Sequence, residues 1–251
     1  MLISEFTDHL SKILDIASFD DISLNGVQIA SPDREVKKVA FAVDACYKTI
    51  SEAAEWGADI LVVHHGLFWG RPIAIKGDHY KRVKCALDNN LTLFAAHLPL
   101  DAHMLYGNNA QMAISLGMRE YDPFGYFKGK AIGVKGKLPF PMTVEEIIRL
   151  LGLDPVFSDI ITDDVEKKIE TVGIISGGGG SDVQDAIDQG LDLYITGEIL
   201  HQNYHTAREA GISVISGGHY RTEVFGVKAL ERMTKRQFEI ETKFIEAETG
   251  L

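Results

Sequence analysis

The side chains best suited to chemistry in this chain are histidines and carboxylates, and they fall in three short segments. His64-His65-Gly66 is the first, His97-Leu98-Pro99-Leu100-Asp101-Ala102-His103 the second, and Gly217-Gly218-His219-Tyr220-Arg221-Thr222-Glu223 the third. Imidazole is the commonest protein ligand for borderline divalent ions and titrates near neutral pH. A carboxylate can bridge two cations, one oxygen to each. Each segment also has an ordinary reading. The paired histidines could be solvated loop residues, Asp101 an N-cap or turn residue, and Glu223 a first-turn carboxylate favoured by a helix dipole.

The elements that precede these segments decide between the readings. Each follows a short apolar run with the length of a buried strand: Ala58–Val63, Leu91–Ala96 and Ile212–Ser216. In a parallel sheet such strand ends share one edge, where open α/β folds bind ligands. Adjacent histidines on a continuing strand point to opposite faces, whereas at a strand end, with Gly66 allowing a tight turn, both can approach one site. His64, His65, Asp101, His219 and Glu223 are too many donors for one tetrahedral zinc with an open position. They suit two ions sharing carboxylates, with waters completing each shell. His97 is a sixth member of the group, as ligand, supporting residue or proton shuttle.

Other motifs carry less. His201 and His205 have the spacing of a zinc-protease helix, but His201-Gln202-Asn203-Tyr204-His205 lacks the general-base glutamate. His205 could still line a pocket, and His9 and His79 read as solvated helix residues. Gly177–Gly180 before Ser181 resembles an anion cradle or a flexible turn. It is neither a Walker motif nor a clear dinucleotide fingerprint, and no Gly-x-Ser-x-Gly elbow is present.

Strands alternate with helices along the whole chain. Helices are expected from Phe6 to Ala17, up to Trp56 with a stop at Gly57, over Asp78–Asn89, from Thr143 with its Glu146 capping box to Gly152, from Ser181 with Gln184 as its box partner, over His201–Ala210 and over Thr222–Met233. Further strands are expected at Val36–Val43, Gly129–Leu138, Thr171–Ser176, Leu191–Thr196 and Phe238–Phe244, the last half-exposed near a sheet edge. Gly57-Ala58-Asp59 through His65 aligns with Gly190-Leu191-Asp192 through Glu198, a weak internal repeat. Asp122-Pro123-Phe124-Gly125 breaks the chain. The expected fold class is α/β: two related α/β lobes, 1–128 and 129–251, with mainly parallel sheets and a metal site at strand carboxyl ends between the lobes.

Composition bounds the function. The chain has 251 residues, 45% hydrophobic, and a net charge of −11, which argues against a basic nucleic-acid surface and against an anionic membrane. No apolar run reaches the roughly 18–20 residues of a bilayer span, and the acidic N-terminus does not read as a signal peptide. Two cysteines, Cys46 and Cys85, form no disulfide framework. A cytoplasmic location is expected.

Val62-Val63-His64-His65-Gly66-Leu67-Phe68-Trp69, Ala96-His97-Leu98-Pro99-Leu100-Asp101-Ala102-His103 and Gly218-His219-Tyr220-Arg221-Thr222-Glu223 together resemble the Nif-three-like family, whose members are known as GTP cyclohydrolase type-two homologues. Asn25-Gly26-Val27-Gln28, Gly107-Asn108-Asn109 and Thr196-Gly197-Glu198 extend the resemblance over nearly the whole chain. The resemblance implies a toroidal homohexamer with a dinuclear metal site facing an interior cavity. It implies His64, His65, Asp101, His219 and Glu223 as ligands, with Asp101 and Glu223 bridging. The large central insertion of some relatives is missing here, so its role does not transfer.

The expected function is that of a metal-dependent hydrolase acting on a nucleotide-like or phosphoester substrate, with two divalent ions per subunit (Zn, Fe, Mn, Co or Ni) and His97 as catalytic proton carrier. The alternative is a metal-binding scaffold or interaction protein without turnover. Two divalent ions would bring −11 to about −7 and leave the site itself about +2, compatible with a small anionic substrate.

Overall fold

The structure is a computed structural model that describes residues 1–251. In chain order the first elements are α1 (Ile3–Ile13), β1 (Gly26–Ile29), β2 (Lys38–Asp44), α2 (Tyr47–Trp56), β3 (Ile60–His65), α3 (Gly77–Asp88) and β4 (Thr92–Ala95). Then come α4 (Leu98–Ala102), α5 (Asn108–Ser115), β5 (Tyr121–Phe127), β6 (Lys130–Met142), α6 (Val144–Leu151), β7 (Asp159–Ile161) and β8 (Ile169–Ile175). The last are α7 (Val183–Asp188), β9 (Leu193–Thr196), α8 (Asn203–Ala210), β10 (Ser213–Ser216), α9 (His219–Gln237) and β11 (Glu241–Phe244).

Two compact units result, residues 1–100 with 227–247, and residues 101–226 with 248–251. The first holds a five-stranded sheet in the order β1-β4-β3-β2-β11. All its pairings are parallel except β1 with β4. The central strands are apolar on both faces, so Ala40, Phe41, Ile60, Leu61, Phe94 and Ala95 are all buried. Helix α2 stops where Gly57 takes φ +76°, a left-handed conformation that a side chain would oppose. As the alternation of Thr242 and Phe244 with charged residues implies, β11 is the edge strand beside β2.

The second unit holds a six-stranded sheet in the order β5-β6-β8-β9-β10-β7. Here the expectation of a mainly parallel sheet is corrected. Only β8–β9 and β9–β10 are parallel, while β5–β6, β6–β8 and β10–β7 are antiparallel. The reason is local: a Lys128-Gly129 turn, both residues at positive φ, folds β5 and β6 into a hairpin too short for a helical crossover. Pro123 does not break the chain; it sits in β5, an edge strand, where its missing N–H costs nothing.

The second unit begins ahead of residue 128. Met112, Ala113, Leu116 and Met118, from α5 and just beyond it, pack into the core of the second sheet with Val134 and Ile174. Near the C-terminus β11 pairs with β2, so the chain re-enters the first unit. Helix α6 is as expected, with Thr143 and Glu146 forming the capping box and Gly152 at φ +65° ending it. No helix is long and apolar enough to cross a membrane.

Candidate metal centre

In the first unit, the ends of β3 and β4 deliver three histidines. His64 and His65 are the last residues of β3 itself, not the loop after it. Their rings nevertheless stay close, with centroids 4.6 Å apart, and His97 lies 5.2 Å from His64 and 5.6 Å from His65. One ligand atom from each of the three falls within 4.8 Å of the others. Each ring is held through Nδ1. His64 Nδ1 donates to the Ala96 carbonyl at 2.9 Å. His65 Nδ1 lies 2.9 Å from Asp44 Oδ1, its register partner at the end of β2. His97 Nδ1 lies 3.0 Å from both oxygens of Asp21.

These anchors set the tautomers. A carbonyl or an ionised carboxylate only accepts, so Nδ1 carries the proton and Nε2 presents its lone pair. Asp21 is itself fixed. Burial opposes its ionisation, but hydrogen bonds from His97, Asn25 and the Ser23 N–H hold its carboxyl well below the usual carboxylate range. The backbone closes the arrangement, with His97 N–H donating to Asn25 Oδ1 at 2.7 Å and Leu98 N–H to Asp21 Oδ2 at 3.1 Å.

The second unit gathers the remaining candidates. Helix α9 begins at His219, three residues before the expected start at Thr222. Gly218, at φ +91°, makes the turn into it. Thr222 is therefore not the cap. Its hydroxyl turns back to the Gly218 carbonyl and accepts the Gly177 N–H at 3.0 Å. The earlier start puts His219 and Glu223 one helical turn apart on one face, with Nε2 and Oε1 3.2 Å apart. Two donors on one ion at bond lengths of about 2.1 Å stand roughly 3.0–3.4 Å apart, so this pair already has the separation of neighbouring ligands. His219 Nδ1 is held 2.8 Å from Glu198 Oε1. The hydrogen bond to Glu223, reinforced by Glu198 against the opposing effect of burial, raises the His219 pKa to about 9.

Asp101, in α4, is buried, and its ligand oxygen lies within 4.8 Å of that of Glu223. Its Oδ1 accepts from Asn108 Nδ2 at 2.8 Å and from Ser176 Oγ at 2.9 Å. Asn109 binds the Asp101 carbonyl and accepts the Ser176 N–H at 2.7 Å. Asn108 in turn accepts the Gly226 N–H from α9 at 2.6 Å. A rigid polar frame thus orients the carboxylate.

The glycine run is closely packed. A Cβ on Gly177 would collide with Glu223 Oε1, and one on Gly180 would meet the Glu198 carbonyl. Ser181 does not cap a helix; residues 179–182 form a single 3-10 turn, and α7 starts from Asp182. His201 lies before α8 and is exposed, and His205 is exposed with its ring against Tyr204, so neither joins a ligand group. His9 and His79 are not solvated as expected; they pack edge-on against Phe238 and Phe68. Cys46 and Cys85 are free and half-buried.

Sequence reasoning did not find Asp21, Asp44, Ser176 or the orienting roles of Asn108 and Glu198. Asp44 and Glu198 had a signal, since both follow strands at the edge that carries the histidines. Asp21 had none, lying in a loop 76 residues from its partner His97.

Two sheet-based α/β units with Nδ1-anchored histidines and oriented carboxylates at their strand ends define a class of protein: one equipped with candidate divalent-metal ligands on an α/β scaffold. The chain belongs to the Duf34/NIF3 (NGG1p interacting factor 3) family, which matches residues 1–250. A Deinococcus radiodurans protein named GTP cyclohydrolase 1 type 2 homolog is 42% identical over 247 residues, covering 98% of this chain and 94% of the relative. A Halobacterium salinarum protein of the same name is 40% identical over 257 residues, covering 100% of both. The crystal structure of TTHA1606 from Thermus thermophilus has a TM-score of 0.89 at 35% identity over 100% of both chains.

Proposed function

We propose that this protein is a dinuclear metal-dependent hydrolase acting on a nucleotide-like or phosphoester substrate. The observation that carries the reading is that His64, His65, His97 and His219 are all held through Nδ1 by an oxygen acceptor. Anchoring through Nδ1 to an oxygen acceptor is how metal-ligating histidines are held, and it supports a ligand role for these imidazoles over a solvated one. Imidazole with carboxylate is a borderline donor set that fits Zn, Fe, Mn, Co or Ni. The residues present therefore fit the ions that the family resemblance implies.

His64, His65, Asp101, His219 and Glu223 would hold two ions. When bound, such ions polarise a phosphoryl or carbonyl oxygen and bring water toward ionisation near neutral pH. Asn108 and Ser176, which both donate to Oδ1, would orient the Asp101 carboxylate for ligation. Asp21 orients His97 through Nδ1, so its other ring nitrogen is the one that would carry a proton to a leaving group. The relatives' name supports GTP as the first compound to try.

Protein prepared without a polyhistidine tag should contain about two divalent ions per chain, and it should hydrolyse a member of a nucleotide and phosphoester panel. Asp101→Ala should abolish both. Equal rates from wild type and Asp101→Ala would assign the activity to a contaminant and leave the scaffold reading. A homohexamer is part of the same proposal, and light scattering at six chain masses tests it.

A further inference from the structure

Beside the first unit's histidines stands a tryptophan whose position the metal ligands do not require. Trp69 is half-buried, with its ring centroid 5.1 Å from that of His97 and 5.9 Å from that of His65. Its loop is tied down from several sides. Gln28 Oε1 accepts the N–H groups of Leu67 and Phe68, and Leu24 N–H donates to the Phe68 carbonyl at 3.0 Å. Trp69 itself forms a bridge with Ser23. Its one polar atom is satisfied locally, Nε1–H donating to the Gly66 carbonyl at 3.0 Å. A Cβ on Gly66 would meet the Gln28 amide that makes this anchorage.

A large indole with its hydrogen bond satisfied gains most by full burial. Here it is instead held rigidly and partly open next to three histidines. A tethered, partly exposed indole beside a polar cluster is suited to stack a planar ring. We infer that Trp69 is a substrate-positioning residue, and that the substrate carries a planar heteroaromatic ring which stacks on its indole while the polar end of the molecule meets the histidine side. This rests on the proposed function, which it narrows from phosphoesters in general to ring-bearing nucleotide-like compounds.

Trp56 and Trp69 are the chain's two tryptophans, so in Trp56→Phe full-length protein the emission reports Trp69 alone. Metal-loaded protein is titrated with GTP and, separately, with inorganic triphosphate, which has no ring. GTP should quench Trp69 and triphosphate should not. By equilibrium dialysis Trp69→Phe should keep GTP affinity within about threefold, and Trp69→Leu should weaken it about tenfold. Metal content, by atomic emission, should be the same in all variants. The inference is overturned by any of four results: unchanged GTP affinity in Trp69→Leu, equal quenching by triphosphate, no GTP binding to wild type, or loss of metal in Trp69→Leu, which would make the indole a wall for His97. If the protein holds no metal yet GTP still quenches Trp69, the ring platform stands and the hydrolase reading falls.

Discussion

Asp59 and Asp192 do the same work in the two sheets. Asp59 Oδ2 accepts the backbone N–H groups of Lys37 and Lys38 at 2.7 and 2.9 Å. Asp192 Oδ2 accepts those of Glu170 and Thr171 at 3.1 and 2.9 Å. Each aspartate precedes a strand, β3 or β9, and gathers the start of its parallel neighbour, β2 or β8. Each follows a glycine at positive φ, Gly57 at +76° and Gly190 at +65°. At the far ends of β3 and β9 stand His65 and Glu198, one anchored by Asp44 and the other anchoring His219. The weak repeat in the sequence is thus a repeat of structural roles, used twice to bring a histidine–carboxylate pair to a strand end.

Asp192 makes this arrangement pH-dependent. Burial raises its pKa, but the N–H groups of Thr171 and Glu170 and the Thr171 hydroxyl outweigh that and lower it from the ordinary 3.8. A folded-state value below the unfolded one means the contribution is complete above pH 3.8 and is lost as pH falls below it. Asp192→Ala should cost about 1–3 kcal/mol at pH 7, and the difference from wild type should shrink in acid. Urea titrations from pH 3 to pH 7 check this.

Glu198 is half-exposed and holds His219 from outside the ligand group, so it can be removed with little effect on folding. Glu198→Ala frees the imidazole to rotate and lowers its basicity. Metal affinity should fall about 10–100-fold with the melting temperature of the metal-free protein nearly unchanged. Calorimetric metal titration beside a thermal melt separates the two effects.

How far the site was legible follows from where each signal lies along the chain. The apolar runs before His64, His97 and His219, and the Gly57 and Gly152 stops, are local patterns, so the strands, helices and ligand-type residues could be read directly. The start of α9 could not, because Thr222 looks like a cap locally while its hydroxyl is turned to Gly218 and Gly177 by the fold. The short strand β7 has no periodicity of its own and exists by pairing with β10. Asp21 meets His97, and Ser176 meets Asp101, across more than 70 residues, distances at which one sequence carries no pairing information.

His219 gives metal binding its own pH dependence. With its pKa raised to about 9, chiefly by the hydrogen bond to Glu223, the metal-free protein carries a proton on His219 at neutral pH. In that state the interaction stabilises the fold fully below pH 6.5 and is lost as pH rises through about 9. An incoming ion must displace this proton, so its affinity should rise by about tenfold per pH unit up to that point. Calorimetry in buffers of different ionisation enthalpy should count one proton released, and Glu223→Gln should reduce the count.

Gly177 tests the close packing around Glu223. It sits at φ +61°, and an added Cβ would strike Glu223 Oε1 and press on His219 Nε2 at 3.2 Å. Gly177→Ala should therefore cost about 1–2 kcal/mol from backbone strain alone and displace a ligand as well. Metal content should drop far more than in Gly129→Ala. That glycine is also at positive φ but faces open space, so it controls for the strain.

The frame around Asp101 separates orientation from ligation. Asn108 and Ser176 both donate to Oδ1, and Asn108 also takes the Gly226 N–H of the helix that carries His219 and Glu223. Ser176→Ala removes one donor and leaves Asn108 in place, so affinity for the ion should fall by roughly tenfold or less, at about 1 kcal/mol in stability. Asn108→Ala removes the other donor and also the side-chain acceptor of the Gly226 N–H, so it should lower stability by about 1–2 kcal/mol and metal affinity by more than Ser176→Ala. Asn108→Asp turns the donor into a second carboxylate facing Oδ1 and should be the worst of the three, because one of two adjacent buried carboxylates must then stay protonated. Metal titrations on the three variants, each paired with a denaturation curve, check the order. If affinity is unchanged while stability falls, the frame serves folding alone.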